Sequence, residues 1–338
     1  MRKNPQASER SPLTPSRVAI VLLSLLALLI ATSVLAVSIG SVSIPFENVL
    51  GALTGSEHTP ETEQTIVVQI RLPRVLLGIL VGAGLSIAGV VLQALLRNPL
   101  AEPYILGISS GGTVGAIIAL SASLGIFGIS LSSFAGSALV MFLVYGLAHR
   151  RGQLDTYTLL LAGVMIGAFF NAAILLIIAV FTQELRDAFL WLMGNLSTAR
   201  TESLIVVAPV IFVISIILLW NAKSFNLIAT GDETAMQLGV NVRSVKRLSY
   251  LLASLLTGAV VSVSGVVGFV GLIIPHICRI LFGPDHRLLL PAAALLGATF
   301  LVITDTIART LIAPAEIPVG AVTAAVGAPL FVYLLRRG

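Results

Sequence analysis

Long apolar runs separated by short charged segments dominate the chain. Val18–Val37 carries no charge, and further uncharged runs cover Val75–Leu96, Tyr104–Ala148, Thr156–Gln183, Ser203–Ala222, Leu248–Pro275, Leu288–Thr304 and Ile317–Leu335. Runs of roughly 20 apolar residues suit a hydrocarbon core about 30 Å thick. As one helix, Tyr104–Ala148 would reach about 67 Å, twice that core, so it predicts two spans turning near Ser121–Ser133. The stretch from Leu248 to Gly283 likewise divides into a span ending near Gly265 and a shorter helix at about Phe269–Phe282. The pattern predicts an all-α polytopic membrane protein of ten helices. Residues 1–17, with Pro5, Pro12 and Pro15, predict a disordered cytoplasmic arm, and 18–337 a single transmembrane domain. Val18–Val37 exceeds the apolar core of a signal peptide and predicts a retained span.

Charge then orients the helices. With both termini inside, fifteen of the twenty Lys and Arg residues fall in inner segments, and only Arg71, Arg74, Arg186, Arg200 and Arg309 lie outside. The positive-inside rule supports that topology. It also accounts for the net charge of +5 without nucleic acid. Hydrophobic residues make up 57% and charged residues 10% of the chain, which excludes a soluble domain. The single cysteine, Cys278, excludes an internal disulfide or a thiolate metal cluster.

Catalytic chemistry is sparse. No GxxxxGK[ST] phosphate loop, HExxH or CxxC occurs. His58, His149, His276 and His286 are scattered, and His276 beside Pro275 is expected to satisfy backbone groups freed at a helix break. Asp305 is the one acidic residue expected near a span's interior, and Arg309, four positions on, is its expected partner on the same helical face. Neither a catalytic nor a metal site is expected.

Two segments outside the spans are informative. The outer loop Ser38–Ile70 holds an amphipathic candidate at Pro45–Leu53. The inner segment 223–247 holds a short apolar face, Ala235, Met236, Leu238 and Val240, bounded by Gly231 and Gly239, which predicts a brief surface helix. It reads as a connector or as a docking site for a cytoplasmic subunit. A short echo, SIAGVV at Ser86–Val91 and SVSGVV at Ser262–Val267, fits the inverted repeats of transporters.

The segments RLPR, QALLRNPLAEPYILGISSG, GDETAMQLG, GFVGLIIPHICR, GPDHRLLLP and EIPVGAVTAAVGAP together resemble the FecCD family of ABC-transporter permeases, over about residues 18–337. The resemblance implies the type II importer fold in a bacterial inner membrane. It also implies a pathway formed between two permease chains, two ATP-binding cassette subunits below, which bind ATP and Mg, and a periplasmic or lipid-anchored binding protein above. It gives Arg71, Arg74 and Arg309 a role in docking the binding protein, with interfacial anchoring to lipid as the alternative. Gly231, Asp232, Glu233, Ala235, Leu238 and Gly239 become the ATPase coupling segment, with Ala235 and Leu238 as apolar knobs. Asn98, Leu100, Thr156 and Tyr157 become a cytoplasmic gate, with Tyr157 larger than the serine expected of a corrinoid permease. Ser109, Ser110, Thr113 and Asn171 are candidate pathway residues; the glycines at 107, 111, 115, 163 and 167 read as close packing. No cofactor is implied within the chain itself. Iron-siderophore is the first expected substrate, corrinoid or haem the next, and a secondary transporter is the rival class.

Overall fold

The computed structural model describes residues 13–40, 42–56, 58–150, 152–180, 189, 191–197 and 199–337. Residues 1–12 of the expected arm, Arg151, Arg186 and the end of the Thr156–Gln183 run lie outside the described residues. Among the described residues, seven helices are long and apolar enough to cross a membrane and three shorter ones are apolar, together the ten expected.

The first helix, α1 (Pro15–Ser38), starts three residues inside the expected arm. Proline at its first position lacks only an N–H that would be unpaired there, and Thr14 Oγ1 accepts from Arg17 N at 3.3 Å. The outer amphipathic segment is α2 (Phe46–Thr54), which buries Val49 and Ala52. Next, α3 (Glu61–Leu96) begins well before the expected Val75, because charges interrupt the apolar run without interrupting helicity. Its Ile66–Arg71 segment widens to π geometry, with Leu72 N donating to Val67 O. Pro73 follows at once; in a regular helix its ring would press on the carbonyl four residues back, and the wider turn relieves this.

The long apolar run does divide, into α4 (Ile108–Ser121) and α5 (Ile126–Ala148). A two-residue strand pair, β1 (His149–Arg150) and β2 (Gln153–Leu154), closes the next turn before α6 (Thr156–Val180). Beyond α7 (Thr201–Trp220), the inner segment is two helices, α8 (Ala222–Thr230) and α9 (Asp232–Gln237). Then come α10 (Val242–Ser264), α11 (Val270–Phe282), α12 (His286–Thr310) and α13 (Val319–Arg337).

The helices form a centre and a periphery. Of the most apolar window, 78% is buried in α3, 72% in α10 and 67% in α12, against 11% in α1 and 17% in α6. Among the long helices these three form the core, while α1 and α6 present most of their side chains outward to lipid or to another chain. Backbones come close where glycines allow it. A Cβ on Gly89 of α3 would sit 1.9 Å from Gly271 O of α11, a contact only glycine permits. The two echo segments differ in local backbone. Gly89 lies mid-helix, whereas Gly265, at φ 65°, ends α10 and turns the chain away.

Contacts across the chain agree with the charge-derived topology. Arg71, Arg74 and Arg309 meet the ends of α1 and α12 on one side. On the other side Arg97 meets Asp232, and Arg17 Nη2 donates to Phe282 O at 3.3 Å.

Candidate functional site

At the outer end, Arg74 holds two carboxylates, with Arg309 beside one of them and Arg71 on nearby backbone. Arg74 donates from Nε and Nη2 to the Asp305 carboxylate, with Nε–Oδ2 and Nη2–Oδ1 both 2.9 Å. Its Nη1 reaches Glu316 Oε2 at 2.9 Å. Arg309, expected to be the partner of Asp305, is the more distant of the two arginines, with Nε 3.9 Å from Oδ2. Its Nη2 donates to Ala36 O and, at 3.3 Å, to Thr306 Oγ1, while Nε has no hydrogen-bond partner among the described residues. Arg71 spends its guanidinium on the backbone that leaves α1: Nη1 donates at 2.8 Å to Val37 O and Ser38 O, and Nη2 donates to Val42 O. All three arginines are buried. In the single chain they fasten α1, α3 and α12 together.

Near the inner end of α3, a side chain meets the proline break in α11. Pro275 has no N–H, so the Gly271 carbonyl four residues back lacks its helical donor. Gln93 of α3 supplies one: its Nε2 lies 3.5 Å from Gly271 O, 3.4 Å from Leu272 O and 3.3 Å from Ala101 O. Gln93 Oε1 in turn accepts from Arg279 Nη2 at 2.9 Å. His276, expected to do this work, packs its ring edge-on to Phe331 instead. The start of α11 is also served from outside. Glu102 Oε1 accepts from Phe269 N at 2.7 Å, and Tyr104 Oη accepts from Val267 N at 3.1 Å. These acceptors take backbone donors of the segment that leads into α11, and a carboxylate at the N-cap suits that positive helix end. The sequence reading passed over Gln93, Glu102 and Tyr104; the QALLRNPLAEPY run that carries them was the available signal.

The expected pathway residues separate. Ser109, Ser110 and Thr113 are buried between helices, and their polar groups turn back on their own helix: Ser110 Oγ donates to Gly107 O at 2.8 Å and Thr113 Oγ1 to Ser109 O at 2.9 Å. In the single chain α4 packs against α5, α6 and α10. Asn171 is exposed on α6, along a face that also shows Val164, Met165, Leu175 and Leu176. Of the expected gate, Tyr157 is 75% exposed at the start of α6 and Leu100 is exposed in the turn after α3, where Asn98 Oδ1 accepts from Leu100 N at 2.9 Å. Thr156 is half-buried beside Tyr157.

At the inner end, Asp232 opens α9 and joins three elements. Lys246 Nζ of α10 lies 2.6 Å from Asp232 Oδ2, and Arg97 at the end of α3 bonds to Oδ1. Partial burial raises the Asp232 pKa, but the hydrogen bonds and charges of Lys246 and Arg97 outweigh it and hold the carboxyl below its ordinary value. Gly231, at φ 130°, sets the bend between α8 and α9, and Gly239, at φ 85°, ends the pair. Glu233, Met236 and Leu238 face outward. Ala235, expected as an apolar knob, is wholly buried against Ile228 and Val242, whereas Leu238, just past the last residue of α9, is exposed. No group of three or more His, Cys, Asp or Glu side chains that could hold a metal ion occurs among the described residues.

Residues 28–337 match the model of the FecCD transport family. The chain is 46% identical over 278 residues to the cobalamin import system permease protein BtuC of Halobacterium salinarum, covering 82% of this chain and 75% of the relative. It is 42% identical over 320 residues to the hemin transport system permease protein HmuU of Yersinia pestis, covering 93% and 94%. A solved chain of a metal-chelate type ABC transporter in an inward-facing conformation superposes with a TM-score of 0.85 at 33% identity, over 95% of this chain and all of that one. Permeases of this kind work with an ATPase and a substrate-binding partner. Ten apolar helices around a buried core of α3, α10 and α12, with a braced helix pair at the inner face, are thus the fold of a multi-pass membrane protein, and the chain belongs to the FecCD transport family, the permease subunits of ABC importers.

Proposed function

We propose that two copies of this chain pair to form the pathway of an importer for a metal chelate, an iron-siderophore, haem or corrinoid, in a bacterial inner membrane. ATP is hydrolysed by two cassette subunits seated against α8 and α9. A substrate-binding protein delivers the chelate at the outer end, near the exposed side of Glu316 rather than directly to the buried arginines. The observation that carries this reading is the inner helix pair. Asp232 pins it to α3 and α10, while Met236 and Leu238 are apolar and exposed. Relatives named for cobalamin and hemin support a metal-centred ligand.

The outward apolar face of α6 supports the second copy, with Asn171 and Tyr157 as its polar positions and Leu100 and Asn98 at the inner mouth. The test is uptake by proteoliposomes holding the chain, its ATPase and its binding protein. The expected result is ATP-dependent accumulation of a labelled chelate. Uptake that continues after ATP is exhausted would instead identify a secondary transporter.

A further inference from the structure

A cleft of about 590 Å³ opens at the inner end, between the C-terminus of α3, helix α8 and the turn joining α11 to α12. Its lining includes Arg97, Arg279, Asn98, Asn226, Asp285 and His286. Arg279 has no carboxylate partner among the described residues; its Nη2 donates to the neutral Gln93 Oε1. Arg97 keeps Asp232 on one side and is well exposed on the cleft side. Asp285, the carboxylate of the lining, is already committed. It takes Arg287 Nη2 at 2.6 Å and Asn226 Nδ2 at 2.8 Å, and these hydrogen bonds, that of Arg287 foremost, hold it well below the usual carboxylate range.

His286 adds the decisive feature. Asn226 points its Nδ2 at Asp285, so its Oδ1 is the atom that faces His286 Nδ1 at 2.7 Å. That fixes the proton on Nδ1 and leaves Nε2 a lone pair. His286 is 5% exposed, and its Nε2 is buried with no partner among the described residues. A buried acceptor left bare costs free energy. The cleft thus offers two guanidinium groups for anionic oxygens and one imidazole lone pair for a hydroxyl hydrogen.

We infer that this cleft binds a phosphate group that also carries a hydroxyl donor, its oxygens on Arg279 and Arg97 and its O–H on His286 Nε2. Chloride and sulfate lack that donor at neutral pH. Two sources share the chemistry: monohydrogen phosphate from solution, and the glycerol-phosphate headgroup of an anionic lipid from the inner leaflet, whose glycerol supplies the hydroxyl. Guanidinium and phosphate match in geometry and charge.

The test uses the full-length chain in nanodiscs, read by thermal unfolding and by phosphorus NMR. In phosphatidylcholine discs, inorganic phosphate should raise Tm with a saturable dose response, while chloride at equal ionic strength should not. Such a response assigns the solution source. A rise in Tm when phosphatidylglycerol replaces part of the phosphatidylcholine, without added phosphate, assigns the lipid source. Either response should weaken about tenfold or more in apparent affinity in Arg279→Gln, the loss of one charge-assisted hydrogen bond. His286→Asn should weaken it too, since the shorter amide can keep the contact to Asn226 but has no group at Nε2. Arg97→Gln, at an exposed position, covers the case in which Arg279→Gln fails to fold. No response to phosphate or phosphatidylglycerol overturns the inference, as does a response unchanged in the variants. Discs in which only an added ATPase subunit protects the cleft overturn it as well, and would assign Arg279 to an acidic side chain of that subunit.

Discussion

Arg74 and Asp305 lie 231 residues apart in sequence and form a bidentate ion pair with side chains 7% and 4% exposed. Removing one member of a buried pair strands the other charge, which typically costs about 3 kcal/mol or more. Asp305→Asn should therefore lower the unfolding free energy by about that amount. Glu316→Gln, on the half-exposed side of the same guanidinium, should cost under about 1 kcal/mol. Thermal unfolding of both variants in one detergent decides the matter, and equal losses would show that Asp305 is not the central anion.

Gln93 is expected to matter more than its neutral side chain suggests. Gln93→Leu keeps the volume but leaves Gly271 O without its donor and Arg279 without its acceptor, a loss of about 1–3 kcal/mol. Gln93→Glu retains an acceptor for Arg279 and should recover part of it. Tm measurements that rank the leucine variant level with the parent would refute the bracing role.

Leu238 and Ala235 should separate coupling from folding. Leu238→Asp alters only an outward apolar side chain. Reconstituted transporter carrying it should hydrolyse ATP with uptake reduced at least about tenfold, because the push on the helix pair is lost. Ala235→Asp places a charge among Ile228 and Val242 and should instead destabilise the chain before any transport can be measured. Full uptake by Leu238→Asp would remove α9 from the ATPase interface.

The Asp232 anchor sets a pH dependence with a definite sign. Its folded pKa lies below the ordinary 3.8, so the stabilisation it supplies is present above 3.8 and is lost as pH falls through the folded value. Protection factors for amides of α8 and α9 should hold steady from neutral pH to about pH 4 and drop below it. In Asp232→Asn they should start low and stay flat. An identical acid profile in the two proteins would show that Asp232 is not the anchor.

Helix positions were legible wherever a local signal existed. The break at Gly265 and the short helix to Phe282 follow from the length of the apolar run and from its glycines, and the observed α11, Val270–Phe282, begins one residue later than expected. What sequence did not reveal depends on contacts between distant segments. Asp305 has Arg309 four residues away, so the local pairing was the natural expectation, yet the geometry prefers Arg74 from another helix. The arginines' position at the outer end was readable, but their burial was not, since their acceptors are backbone carbonyls of α1 and its exit. Periodicity marked Ala235 and Leu238 as apolar without stating which face is covered by the chain itself. Ser109, Ser110 and Thr113 could as well have lined a channel as packed between helices. In the single chain α4 packs them against three neighbouring helices.

The inner helix pair is tied at both ends to what lies deepest in the protein. Arg97 links Asp232 to the end of α3, and Asn226 of α8 holds both Asp285 and His286 at the start of α12. Gln93 and the Gly89–Gly271 contact then tie α3 to α11. Any force applied from the cytoplasm has a rigid load path straight into the central helices, with no slack segment along it to absorb the stroke. The yielding joints must lie among the peripheral helices, where α4 and α6 meet through small side chains, and the core should travel as one block while the rim slides past it.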